Sequence, residues 1–148
     1  MSSALPDRLR LSGGTELAFV ADGDRTKPAL VLLHGYASSS RTFREVIPAL
    51  SRVAYVIAPD LPGYGLSDPL PTPSFAAFSD AILDLLRHLD VTQQRFIYLH
   101  DWGAPVGLNI AMQSPEQVAG LIIQNANAHR TGFAPQWKDT FKFWAEPT

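Results

Sequence analysis

Apolar segments that alternate with helical patterns constrain this fold more than any other feature of the sequence. Four runs are apolar almost throughout, which is typical of strands buried on both faces of a sheet. Because helical segments separate these runs, the sequence predicts an α/β fold, with a mostly parallel sheet flanked by helices. The predicted buried strands are residues 29–34, 53–58, 95–100 and 120–125.

The segments between the buried strands show apolar residues at helical spacing. Ser74 is a favourable N-cap for a helix that ends at Leu89. Pro105 falls in the first turn of another helix, where its missing N–H does no harm. Two short alternating segments, split by glycines, predict an antiparallel hairpin at an edge of the sheet. The hairpin spans 9–11 and 17–21, and the further predicted helices are 40–50, 103–113 and 134–144.

The strand predicted over 95–100 runs directly into Asp101, and a glycine-rich helix start follows. A strand, a sharp turn and a helix with a reactive side chain at the turn are typical of a nucleophile elbow. A carboxylate attacks carbon directly, because it is ionised at neutral pH and needs no base. The alternative is that Asp101 only caps the following helix. Leu99 stands where such a turn usually has a small residue, so it must point away from the turn or open it.

A second motif, His34-Gly35-Tyr36, ends the first buried strand. An elbow of this kind uses two backbone N–H groups to stabilise negative charge, one from the residue after the nucleophile and one from the loop after this strand. Those groups would belong to Trp102 and Tyr36. We expect the His34 side chain to be structural and hydrogen-bonded to loop backbone, so that the loop's own N–H group acts.

The chain resembles the α/β-hydrolase superfamily through three segments that occur in the same order: 34–35, 60–67 and 100–103. Within it, the chain resembles the epoxide hydrolases and the haloalkane and haloacid dehalogenases that use an aspartate nucleophile. The resemblance implies that Asp101 attacks an epoxide or carbon–halogen carbon to form an alkyl ester, which water activated by a histidine–acid pair then hydrolyses. It also implies that Trp102 donates its indole N–H to a departing halide, unless this ring only packs. An aromatic residue at Tyr36 favours epoxides, because haloalkane dehalogenases often have asparagine there.

The resemblance further implies that this chain corresponds to the N-terminal half of such an enzyme, with a core over 1–130 and the start of a cap over 131–148. The family order is nucleophile, acid, histidine, and the histidine follows the last strand. His129 is the only histidine that could stand in for it, and Asn125 lies where some relatives have the acid. We expect His88 to lie on a helix, and His100 to point away from the site. The aromatic residues of 132–148 either pack on the core or begin the cap.

Composition narrows the function classes. A net charge of −2, with acidic and basic residues interspersed, gives no electrostatic reason to bind nucleic acid or an anionic membrane. The absence of cysteine excludes disulfides, thiol catalysis and cysteine metal sites. Neither a signal peptide nor a membrane span is apparent, which predicts a cytoplasmic protein. The expected partner is a small epoxide or organohalide, with no cofactor and no metal.

An alternative from another class is a non-catalytic hydrolase-like domain. The strand predicted over 120–125 would expose the apolar residues Leu121, Ile122 and Ile123 at an open sheet edge. Such an edge favours association, so we expect homo-oligomers in that case. A serine esterase is disfavoured, because no serine stands at an elbow.

Overall fold

The computed structural model describes residues 6–127 and 129–146, with the side chains of Arg130 and Trp144 left out. The outermost residues of the two predicted domains, 1–5 and 147–148, therefore lie outside the described residues, as does the Trp144 side chain of the predicted aromatic segment. The division of the chain near residue 130 stays a prediction.

A sheet of six strands forms the centre of the described chain. Its strands are β1 (Asp7–Arg10), β2 (Glu16–Asp22), β3 (Ala29–Leu33), β4 (Tyr55–Pro59), β5 (Arg95–His100) and β6 (Val118–Gln124). The spatial order is β1-β2-β4-β3-β5-β6. The hairpin β1–β2 and the β2–β4 pair are antiparallel, whereas β4, β3, β5 and β6 are all parallel. The predicted α/β fold, with an edge hairpin on a mostly parallel sheet, is confirmed.

Helices cover both faces of this sheet. They are α1 (Ile47–Leu50), α2 (Phe75–His88) and α3 (Gly103–Gln113); a fourth helix, α4 (Lys138–Ala145), packs on the 3₁₀ turn at Pro135–Trp137 that precedes it. The larger apolar core lies under α2 and α3, and a smaller one packs α1 and its preceding turn against the other face. Ser74 caps α2 as predicted, because its hydroxyl oxygen accepts the Ala77 N–H at 3.0 Å. This cap fixes where α2 begins, next to the start of α3.

The helix predicted over 40–50 is wrong as a single element. A 3₁₀ turn at Ser40–Phe43 is followed by a separate short helix, α1, with Pro48 in its first turn. Proline lacks an N–H and is compatible only with a helix start, so it divides the segment. Val46, which has the helical spacing of the apolar residues in this segment, is 48% exposed.

Two other predicted boundaries shift. The strand predicted from residue 53 begins at Tyr55, because the N–H groups of Val53 and Ala54 both bond to the Leu50 carbonyl and close α1. The helix predicted over 134–144 is a 3₁₀ turn at Pro135–Trp137 followed by α4. In both cases the element type is right and its start is displaced.

The β6 edge of the sheet is apolar and open. Leu121 is 37% exposed, Ile122 47% and Ile123 63%, as the sequence predicted for this strand. A parallel strand with two apolar faces is usually covered on both. No helix within the described residues is long and apolar enough to cross a membrane.

Candidate active site

Asp101 occupies a left-handed turn between β5 and α3. Its φ is +46°, a region that residues with a Cβ avoid and that is common at functional sites. The turn is held by two hydrogen bonds: the Asp101 N–H donates to the Asn125 carbonyl at 3.3 Å, and the Asp101 carbonyl accepts the Ala104 N–H at 3.0 Å. The side chain is exposed at the carboxyl end of the sheet. Sequence reasoning therefore located the sharp turn and the residue at its apex.

The Asp101 carboxylate does not cap α3. The residue at the N-cap position is Trp102, and no side chain caps that helix. The carboxylate instead crosses to the neighbouring strand, where its Oδ2 accepts the Tyr36 N–H at 2.8 Å. The alternative interpretation of Asp101 as a helix cap is therefore wrong. No other described group donates a hydrogen bond to the carboxylate, which leaves Oδ1 free.

Gly35 permits this approach of two strand ends. A Cβ at this position would lie 2.9 Å from Asp101 Oδ2 and 3.0 Å from the Asp101 Cβ. Real Cβ atoms do not sit that close to such neighbours, so a side chain here would push the carboxylate off the Tyr36 N–H. Ala37, two residues later, has a φ of +52°, so the loop turns sharply just beyond this contact.

His34 holds the loop that contains Gly35 and Tyr36 in place. Its ring is fully buried, its Nδ1 bonds to the Gly35 carbonyl at 2.8 Å, and its Nε2 accepts the Leu61 N–H at 2.9 Å. These partners require the neutral form with the proton on Nδ1. Burial lowers the pKa of His34, against the opposing effects of the Gly35 bond and the Asp60 charge. Both ring nitrogens are occupied by backbone, so the ring holds the loop and cannot exchange protons with a substrate.

Asp60, the first residue of the segment 60–67, has a structural role. It is buried, and its two carboxylate oxygens accept the N–H groups of Ser40 and Leu66 at 2.7 and 2.8 Å. Gly65 is required beside it, because a Cβ there would lie 2.1 Å from Asp60 Oδ2. The loop after β4 is thereby fixed against the segment that follows Tyr36.

Trp102 presents an unsatisfied donor. Its indole Nε1 is buried and has no hydrogen-bond partner among the described residues. The ring is packed between Tyr36 and Phe75, with both ring centroids 5.1 Å away. A buried N–H without a partner costs free energy, so this donor is an exception among buried polar groups. The structure records no bond from the Trp102 backbone N–H to the Asp101 carboxylate, so of the two predicted backbone donors only Tyr36 reaches it.

Leu99 points away from the turn and into the core. It is fully buried, and Gly107 of α3 makes room for it: a Cβ on Gly107 would lie 2.0 Å from Leu99 Cδ2. The leucine in the strand is thus accommodated by a glycine in the helix that packs against it. This pairing keeps the turn closed, and the glycine at 107 was the signal in the sequence that could have predicted it.

The structure does not bring a histidine ring to Asp101 as a partner. His88 lies on α2 beside Asp84, and His100 Nδ1 bonds to the Gln124 carbonyl at 3.1 Å. His129 is exposed, with a bond from its own N–H to Asn127. Asn125 does adjoin the nucleophile, though through its backbone carbonyl, and it adopts a φ of +45°.

The described part of the chain contains no set of side chains that could bind a metal ion. No group of three or more histidine, aspartate or glutamate side chains converges there. Phe75 was not predicted to belong to the site; the one signal was its position directly after the N-cap of α2, at the end of a proline-rich loop.

Comparison with known proteins identifies the family of this chain. A family described as the alpha/beta hydrolase fold matches residues 28–146. The chain is 32% identical over 142 residues to an uncharacterised hydrolase of Saccharomyces cerevisiae, with 93% of this chain and 48% of that protein covered. It is 37% identical to epoxide hydrolase B of Mycobacterium tuberculosis, over 74% of this chain and 32% of that one. A haloalkane dehalogenase of Bradyrhizobium diazoefficiens is 33% identical, over 73% and 35%.

A solved structure shows the same fold. The unliganded epoxide hydrolase CorEH superposes with a TM-score of 0.81 at 27% identity, over 96% of this chain and 52% of its own. The chain thus spans half or less of the length of the curated relatives it matches here. With the matched segment covering most of the chain, this protein belongs to the α/β-hydrolase fold family.

Proposed function

We propose that this chain carries the nucleophile of a hydrolase that opens epoxides or cleaves carbon–halogen bonds through an alkyl-ester intermediate. The observation that carries the proposal is the Asp101 carboxylate, held at a left-handed turn with Oδ2 on the Tyr36 N–H and Oδ1 free. The relatives named epoxide hydrolase and haloalkane dehalogenase support the choice of substrates.

The first step forms one bond and breaks one bond. Asp101 Oδ1 attacks the electrophilic carbon, and either the epoxide C–O bond breaks and its oxygen takes a proton from solvent water at the exposed site, or the carbon–halogen bond breaks and halide leaves. Holding one carboxylate oxygen on a backbone N–H fixes the other in an attacking orientation. The buried indole N–H of Trp102 then offers a hydrogen bond to the departing atom.

The second step uses the same N–H group differently. When water adds to the ester carbonyl, negative charge develops on the oxygen that was Oδ2. The Tyr36 N–H already donates to that atom at 2.8 Å, so the donor needs no rearrangement. The step also needs a base for the water, which is worth about 10²–10⁴-fold. Because the rings of His34, His88 and His100 bond to backbone carbonyls and no bond joins the exposed His129 to Asp101, we expect the ester to accumulate on this chain.

The proposal is tested by intact-mass measurement of the 148-residue chain after incubation with styrene oxide and, separately, with 1-bromobutane. We expect a persistent gain of one substrate-derived group, mapped by peptide sequencing to Asp101. The compound that reacts identifies the leaving group. Asp101→Asn should form no adduct, whereas Asp80→Asn, which removes an exposed carboxylate on α2, should react as the parent does.

Equal labelling of Asp101→Asn and the parent would contradict the proposal. A chain that melts cooperatively yet forms no adduct would favour a second function, that of a non-catalytic domain which associates through β6. The exposure of Leu121, Ile122 and Ile123 is the observation that supports this second candidate.

A further inference from the structure

We propose that Phe75 is a positioning residue that sets the direction of the Trp102 indole N–H. The inference rests on the proposed function, in which that N–H receives the leaving group. It starts from the packing of the indole between two rings, of which only Phe75 is anchored by its own helix.

The two neighbours of the indole differ in how firmly they are held. Tyr36 lies in a loop and is 63% exposed, although its ring centroid is as close to that of Trp102, at 5.1 Å, as the centroid of Phe75 is. Phe75 is 36% exposed and is the first residue of α2. Its ring meets the indole edge-on at 63°, a favoured arrangement for aromatic pairs.

The backbone at Phe75 is tied to the helix that begins beside the nucleophile. Ser79, fully buried on α2, donates its hydroxyl to the Phe75 carbonyl at 2.7 Å and lies 3.0 Å from the Val106 carbonyl of α3. The Ser74 cap holds the same turn from its other end. Phe75 and Trp102 are therefore parts of one rigid unit formed by the starts of α2 and α3.

This arrangement explains how an unpartnered donor keeps its direction. An indole turns about two side-chain bonds, and with no hydrogen bond on Nε1 only packing fixes both angles. Removing the anchored ring opens space on one side of the indole, so the N–H is free to swing away from an incoming acceptor. Residue 75 then acts through Trp102 and has no contact with the reacting atoms.

The test uses bromide as the probe and the indole N–H resonance of Trp102 as the readout. In ¹H–¹⁵N spectra of the full chain, Trp102→Phe identifies the Trp102 peak among those of the three tryptophans. Bromide is titrated at constant ionic strength, with sulfate as the balancing anion. We expect the Trp102 peak of the parent chain to move with bromide, and Phe75→Ala to weaken the apparent affinity about tenfold, the scale of losing one well-aimed hydrogen bond to an ion.

Matched variants separate positioning from folding. Phe75→Tyr keeps the ring and should retain the bromide affinity of the parent. Phe75→Leu keeps bulk without an aromatic edge, so its bromide affinity should lie between those of the parent and Phe75→Ala. Val53→Ala, which shortens an exposed apolar side chain elsewhere on the molecule, should leave the bromide affinity and the melting temperature unchanged. Thermal melts of all variants report folding, and a variant with a normal melt and weak bromide binding shows the positioning role.

The outcomes distinguish this inference from the proposed function. Equal bromide affinity in the parent and Phe75→Ala, or no movement of the Trp102 peak in the parent, would overturn the role of Phe75. Neither result bears on Asp101, whose ester is measured by mass. Bromide binding without ester formation would contradict the proposed attack by Asp101, and the positioning role of Phe75 would still hold.

Discussion

Single residues set the sharpness of the turn at Asp101, and the pair formed by Leu99 and Gly107 is the clearest case. Gly107→Ala would place a Cβ 2.0 Å from Leu99 Cδ2, 3.0 Å from Leu33 Cδ1 and 3.1 Å from Ile97 Cγ2. All three neighbours are buried, so none can move freely. We expect the free energy of unfolding to fall by about 1–3 kcal/mol, the scale of overpacking a core, despite the better helix propensity of alanine.

Chemical denaturation of Gly107→Ala measures this loss in the free energy of unfolding, and two further variants serve as comparisons. Gly13→Ala adds the same methyl group where no atom lies within 4 Å, so its stability should be close to that of the parent. Adding Leu99→Ala to Gly107→Ala removes the clash, so the two substitutions should cost less together than the sum of their separate effects. Strict additivity would show that the two residues are not coupled.

At this scale the elbow pattern predicts the apex residue and the Tyr36 N–H beside it, but not the ring that packs on Trp102. Asp101 is recognisable because a buried strand ends there and a helix begins, which are local patterns. The Phe75 ring on Trp102 joins residues far apart in the chain, and no motif marks Phe75. Such contacts depend on strand order and on packing, which no spacing rule contains.

At the scale of elements, the β1–β2 hairpin is fastened to α2 through Asp84. The Ser12 N–H donates to one carboxylate oxygen at 2.8 Å, and Arg87 approaches the other at 3.1 Å. Burial by itself raises the pKa of Asp84, but the Ser12 and Arg87 bonds and the nearby His88 outweigh it, so the pKa is lowered overall. The carboxylate is thus favoured in the folded protein over the acid.

A lowered pKa makes this fastening dependent on pH. Its stabilisation is fully present above the unfolded pKa of about 3.9, and is lost as pH falls below that value and through the folded pKa of Asp84. Asp84→Asn should therefore be less stable than the parent near neutral pH, and the difference should shrink in acid. Urea melts at a series of pH values measure this. Asp80→Asn, on the same helix without the Ser12 contact, should track the parent, and a difference between parent and Asp84→Asn that stays constant with pH would be the contrary result.

Element types were more predictable than element starts. The strand Arg95–His100 and the helix Gly103–Gln113 lie where the sequence predicts, because an apolar run, a glycine and an N-terminal proline mark their ends. The segment from 40 to 50 has the helical spacing of apolar residues yet divides at Pro48. There the local conformation of one proline outweighs the periodic pattern, and the Asp60 carboxylate holds the preceding turn.

At the scale of the whole molecule, the exposed candidate site lies next to the unpaired edge of the sheet, because Asp101 follows β5 and β6 is the last strand in the spatial order. Asp101 and Tyr36 are exposed, and β6 pairs with β5 on one side only within the described residues. An exposed carboxylate is hydrated, which slows its attack on carbon compared with one in a dry site. Ester formation on this chain should therefore be slow, and any molecule that covers the carboxyl ends of β5 and β6 should accelerate it.

We expect the apolar β6 edge to favour self-association. Its strand has no charged residue and exposes Leu121, Ile122 and Ile123, whereas protected edges usually bear lysine or proline. Ile123→Lys places a charge on the most exposed of these positions. We expect sedimentation velocity to show concentration-dependent association of the parent chain and less association of the variant, with an unchanged melting temperature.

Val53→Lys is the matched control, since Val53 is 69% exposed but precedes β4, inside the sheet. Because a charge at Val53 leaves the edge apolar, it should associate as the parent does; equal behaviour of the two lysine variants, or a parent chain that stays monomeric at every concentration, would show that the open edge of β6 does not drive association.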